Sequence, residues 1–120
     1  MILPTLFVSL ILSFTFPDPV YADITMYTAL ETCIPSECTM ANMERPVVDR
    51  SVACPREIPF GTMIYIEDVG LRLCEDRTAL RYNGRYDLFG GYTEQDYEDA
   101  INFGKQNKLI WIYESEQITR

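Results

Sequence analysis

Turn signals cut this chain into short pieces. From Ile24 onward, Pro, Gly or Asn-Gly interrupts every β-forming run before it has grown past a handful of residues. Ile24–Leu30 (ITMYTAL), Arg50–Cys54 (RSVAC), Thr62–Glu67 (TMIYIE), Leu71–Asp76, Arg85–Phe89 (RYDLF) and Leu109–Tyr113 (LIWIY) read as strands. Pro55–Gly61, Glu67–Gly70 and Asn83-Gly84 lie between them as turns. Residues 31–49 carry Cys, Pro, Ser and Asn without periodicity and read as a long loop. One helix is predicted, over 94–103. Thr93 can cap it, Glu94 and Asp96 suit its dipole, Tyr97, Ala100, Ile101 and Phe103 give it an apolar face, and Gly104 ends it. Six short strands with a single helix before the last predict a small, mainly β barrel.

The first 22 residues read as a signal peptide rather than as part of this domain. Ile2–Phe16 is an apolar run too short for a span of ~20 residues. It ends in Pro17-Asp18-Pro19, and Val20-Tyr21-Ala22 places small residues at −3 and −1 of a cleavage site after Ala22. Residues 23–120 then form a single domain, expected to be secreted or periplasmic, monomeric and without a stable membrane span. A domain of this size buries too little surface to be robust without reinforcement.

Cys33, Cys38, Cys54 and Cys74 can supply that reinforcement as disulfides. Four thiols allow three complete pairings; Cys33–Cys38 with Cys54–Cys74 is the expectation, the second closing a loop of about 20 residues worth ~3 kcal/mol. A four-cysteine zinc site fits less well, because only Cys33 and Cys38 are close together.

Composition excludes whole classes of chemistry. The 120 residues contain no histidine, which removes Ser-His-Asp triads, Cys-His dyads and His-ligated metals. A formal charge of −8 opposes nucleic-acid binding. Glu67-Asp68 and Glu75-Asp76 are acidic pairs, but no loop of alternating oxygen ligands accompanies them, so neither a metal nor a cofactor is expected. Catalysis would have to rest on carboxylates, Cys, Tyr, Lys or backbone groups. The acidic first half of the helix reads as a solvated face; Tyr82, Tyr86, Tyr92 and Trp111 are candidates to stack on a ligand's rings, with Trp111 read as core instead.

Several motifs in order carry a resemblance. Val52-Ala53-Cys54-Pro55, Ile58-Pro59-Phe60-Gly61-Thr62 and Ile64-Tyr65-Ile66 are followed by Glu75-Asp76-Arg77 and by Asn83-Gly84-Arg85-Tyr86-Asp87-Leu88-Phe89. Ala100 and Phe103-Gly104-Lys105-Gln106 then precede the last strand. Over residues 52–113 this resembles the 3D domain, named for three aspartates and found in MltA-type lytic transglycosylases and small exported wall proteins. The step from Asp76 to Asp87 equals the spacing of that family's second and third aspartates. Two positions depart from the pattern: Cys54 stands at the first aspartate, and Arg77-Thr78-Ala79 replaces a glycine pair.

The resemblance implies a six-stranded double-psi β-barrel acting on peptidoglycan glycan strands, with Asp87 as acid/base and Asp76 orienting or tuning it. It further implies substrate contacts from Tyr86, Arg85 and Thr78. The reaction implied is lytic cleavage between N-acetylmuramic acid and N-acetylglucosamine, which needs no histidine. A wall-glycan-binding module that kept the barrel without turnover is the alternative, favoured by the two departures; an exported inhibitor or toxin-like protein is a third, supported only by cysteines and small size.

Overall fold

The structure is a computed structural model that describes residues 17–32 and 39–114. Its elements in order are β1 (Val20–Tyr27), α1 (Ala29–Thr32), β2 (Ser51–Cys54), β3 (Met63–Ile66), β4 (Gly70–Arg77), a 3-10 turn (Leu80–Tyr82), β5 (Tyr86–Phe89), α2 (Glu94–Phe103) and β6 (Gln106–Tyr113). The strands close into a barrel in the order β1-β5-β2-β4-β3-β6. The β1–β5 and β2–β4 pairs are parallel; the other pairs are antiparallel. This is the mainly β, six-stranded barrel expected, with its one sizeable helix before the last strand.

Period-2 alternation fills the barrel. Ile24, Val52, Ile64, Ile66, Leu88 and Ile110 point inward and are almost wholly buried. Cys54 and Cys74 join them as a disulfide linking the parallel neighbours β2 and β4. Both sulfurs therefore sit inside the apolar core, where the bond closes the loop that carries β3 and its flanking turns. The expected Cys33–Cys38 bridge lies outside the described residues. A second, smaller apolar cluster of Tyr27, Ala29, Ala53 and Phe89 forms beside α1. Ring edges continue it outward, Tyr27 against Phe89 at 5.3 Å and Phe89 against Tyr92 at 5.0 Å.

Helix α2 has the expected bounds. The Thr93 hydroxyl accepts from the Asp96 amide while Asp96 accepts from the Thr93 amide, a reciprocal cap. Asp96 also accepts from the Tyr92 amide, so its carboxylate lies against Gly91, at a position where a Cβ would collide with it. The helix buries less than expected: Ala100 is enclosed and Phe103 packs against the core, but Tyr97 and Ile101 remain exposed.

Three further expectations are corrected. The first strand begins at Val20, earlier than Ile24, and pairs Val20, Tyr21 and Ala22 with Ile110, Leu109 and Lys108 of β6. The expected cleavage after Ala22 therefore falls within β1. The first strand also ends at Tyr27 rather than Leu30, and the one-turn helix α1 takes up Ala29 and Leu30 together with the first two residues of the expected loop. The LIWIY run is not buried throughout: only Ile110 is, because a single-layered barrel hides one face of each strand. Trp111 accordingly lies outside, half-buried, with its ring 5.7 Å from that of Tyr65 on β3.

Candidate active site

One row of residues crosses four neighbouring strands. Thr25 on β1 is the partner of Asp87 on β5, Asp87 is the partner of Ala53 on β2, and Ala53 is the partner of Asp76 on β4. Sheet order thus brings Asp76 and Asp87 to the two sides of Ala53, two strand spacings or roughly 10 Å apart at the backbone. The Ala53 methyl leaves the space between them open.

The register of the row depends on an irregularity. Val52 pairs with Cys74, but Ala53 pairs with Asp76, so Glu75 is the extra residue of a bulge. Without that register shift Ala53 would face Glu75. Glu75 is instead buried with other partners, accepting from the Ser51 hydroxyl at 2.7 Å and from Nε of Arg50 at 3.0 Å. Its neighbour Asp76 is thereby freed for the groove.

The two aspartates have different surroundings. Both oxygens of Asp76 are engaged: Oδ1 accepts from the amides of Ala41 (2.9 Å) and Arg77 (2.8 Å), and Oδ2 accepts from the Tyr27 hydroxyl (3.1 Å). These donors come from three separate segments and fix the carboxylate's orientation. Burial, together with the charge of Asp76, raises the Tyr27 phenol far above its ordinary value, so it stays a donor. Asp87 holds one hydrogen bond, from the Thr25 hydroxyl to Oδ1 at 2.9 Å; its Oδ2 has no partner among the described residues. Burial pushes Asp87 up to about 6. Thr25 and Arg85 oppose that rise, and the nearby charges of Glu31 and Asp76 add to it.

Asp76 and Asp87 both line a groove of about 490 Å³, within the range of small-ligand sites. β1 contributes Thr25 and Tyr27, α1 contributes Glu31, and the segment after it contributes Met40 and Pro46. The end of β4 supplies Arg77, and the β4–β5 connection supplies Thr78, Arg81, Tyr82 and Arg85. Arg85 lies over the Tyr82 ring at 3.9 Å, and Arg77 over Phe60 at 3.9 Å. Glu31 is held by the backbone amide and hydroxyl of Thr28.

Of the residues predicted from sequence, Asp76, Asp87, Thr78 and Arg85 meet in this groove. Tyr86 does not. It precedes Asp87 on the same strand, so its ring points the opposite way, into the barrel core. Burial there, with the charge of Glu57, raises its phenol to about 12. Among the aromatic candidates, Tyr82 lines the groove, whereas Tyr92 donates to the Pro46 carbonyl and Trp111 lies on β6. Cys54, which stands where the resemblance expects a first aspartate, is enclosed in the barrel and bonded to Cys74. Sequence reasoning missed Thr25, Tyr27 and Glu31. No local pattern marks them; they become site residues through strand pairing and through α1. Among the described residues, no three His, Cys, Asp or Glu side chains form a group able to hold a metal ion.

Comparison with solved structures places the barrel. It superposes on a variant of the E. coli lytic transglycosylase MltA in an apo form, with a TM-score of 0.56. The barrel is MltA-like. Sequence identity to that protein is 17%, over 64% of this chain and 27% of the other, so this chain spans about a quarter of the MltA chain's length. No protein-family model matches the chain, and no curated protein matches its sequence.

Proposed function

We propose that this protein is an exported, peptidoglycan-active glycan lyase of the lytic transglycosylase type, built on a 3D-like barrel. The observation that carries this reading is the contrast between the two groove aspartates. Asp76 has both oxygens committed, whereas Asp87 is raised to about 6 with one oxygen unpartnered among the described residues. A carboxyl poised near the working pH can act as acid and then as base.

In the proposed reaction, protonated Asp87 gives its proton to the glycosidic oxygen as the bond from the muramic anomeric carbon breaks. The sugar's own 6-hydroxyl oxygen then bonds to that carbon, and its proton returns to the Asp87 carboxylate. Asp87 is regenerated, no water is consumed, and a 1,6-anhydro end is formed. Asp76, held by Tyr27 and two backbone amides, keeps the β4 side of the groove fixed. The MltA-like barrel supports a wall-glycan substrate. The buried Cys54–Cys74 disulfide suits an oxidising compartment outside the cytoplasm, and no helix among the described residues is long and apolar enough to cross a membrane.

A second reading, a wall-glycan-binding module without turnover, is favoured by one observation: the first aspartate of the 3D pattern is here a disulfide cysteine. Incubation with insoluble murein separates the two. A lyase releases soluble glycan fragments; a binding module sediments with the murein and releases none.

A further inference from the structure

The groove has a cationic wall to which the proton transfers of the proposed reaction assign no partner. Arg77, Arg81 and Arg85 all line it, yet none forms an ion pair among the described residues, in a chain with only 10 Lys and Arg against 18 Asp and Glu. Arg77 and Arg85 lie over the rings of Phe60 and Tyr82, each at 3.9 Å. Stacking of this kind fixes a guanidinium plane without using its N–H edge.

The polar atoms left over belong to three residues that line this groove. Arg77 Nη1, Thr78 Oγ1 and Arg85 Nε are buried without a hydrogen-bond partner among the described residues. Thr78 as a whole is only 5% exposed. Buried donors left unpaired are costly and rare in native proteins, so three of them lining one groove indicate a ligand that brings the acceptors. Two guanidinium groups preset by stacking and a hydroxyl lining the same groove match a carboxylate, which accepts several charge-assisted hydrogen bonds at once.

We propose that Arg77, Thr78 and Arg85 bind a free carboxylate on the sugar beside Asp87, and therefore that the preferred substrate is an acidic, peptide-free glycan strand. This rests on the reading of Asp87 as acting on muramic-acid linkages. The lactyl carboxyl of N-acetylmuramic acid is an anion only where no peptide is attached; a stem peptide converts it to an amide and removes the charge that the arginines would meet.

The test uses the full disulfide-bonded chain carrying Asp87→Asn, so that no turnover intervenes, and calorimetry with three oligosaccharides of equal length. One alternates N-acetylglucosamine with N-acetylmuramic acid bearing free carboxylates, one is the same glycan with its carboxylates converted to methylamides, and one is a chito-oligosaccharide. The expected result is binding of the free acid about tenfold or more tighter than of the other two. Adding Arg85→Gln should erase that ratio, and Thr78→Val should shrink it while the melting temperature holds. Equal affinities, a ratio unchanged by Arg85→Gln, or no binding of any of the three overturns the inference. Cleavage of murein by the unsubstituted protein with equal affinities would leave the lyase reading standing alone. Carboxylate-dependent binding without cleavage would do the reverse.

Discussion

The Thr25 hydroxyl donates to Oδ1 of Asp87 at 2.9 Å across the parallel β1–β5 pair. A hydrogen bond to the charged form of an acid favours that form, so this contact restrains the upward shift that burial imposes on Asp87. Thr25→Val removes the donor and keeps the shape. Asp87 should then titrate above its present value of about 6, and the alkaline fall of any Asp87-dependent glycan cleavage should move to higher pH. A pH–rate profile of the variant against the parent checks the direction.

Burial of Asp87 also has a consequence for stability. Its folded value of about 6 exceeds the ordinary value of 3.8, so the neutral carboxyl is the form the fold favours. The stability associated with it is complete below pH 3.8 and is lost as pH rises through 6. At pH 7 the buried charge costs as much as ~3 kcal/mol. Asp87→Asn removes the charge, so it should raise the melting temperature at pH 7 and change it little at pH 4, while abolishing turnover. Thermal melts at the two pH values check both halves.

Tyr27 couples the small apolar cluster to the Asp76 carboxylate. Tyr27→Phe keeps the ring against Phe89 and deletes one of three donors to Asp76. A stability loss of about 1 kcal/mol is expected from the lost hydrogen bond. Glycan cleavage should fall by a larger factor, because the β4 side of the groove loses its side-chain anchor. Denaturant unfolding and cleavage assays on one preparation separate the two effects.

The Cys54–Cys74 bond joins the neighbouring strands β2 and β4 inside the barrel and closes a 20-residue separation. Replacing both cysteines with alanine should cost about 3 kcal/mol from the lost cross-link, with a further loss from the cavity. Because both residues are wholly buried, a thiol reductant should act slowly on the native protein and quickly once denaturant is present. Timed alkylation with mass analysis measures both rates.

The sequence made some parts of this fold legible and concealed others for physical reasons. Helix α2 could be bounded to the residue because its start and stop are local chemistry: the Thr93–Asp96 cap and Gly104. Asp76 and Asp87 could be singled out by a motif in the right order. Thr25 and Tyr27 could not, since their partners lie 62 and 49 residues away and are set by which strands become neighbours. Tyr86 was misplaced because a motif records adjacency, while a strand sends adjacent side chains to opposite faces. The start of β1 was hidden for another reason. Val20-Tyr21-Ala22 suits a peptidase site and a strand equally well, and only its pairing with Ile110, Leu109 and Lys108 reveals the strand.

The most direct test of the central claim is product analysis. Purified peptidoglycan is digested with the full chain and, in parallel, with Asp87→Asn, and the soluble products are examined by mass spectrometry. The account predicts 1,6-anhydro-muropeptides from the unsubstituted protein and none above background from the variant. A folded, disulfide-bonded protein that yields no anhydro products, or an Asp87→Asn protein that yields as many as its parent, would contradict it.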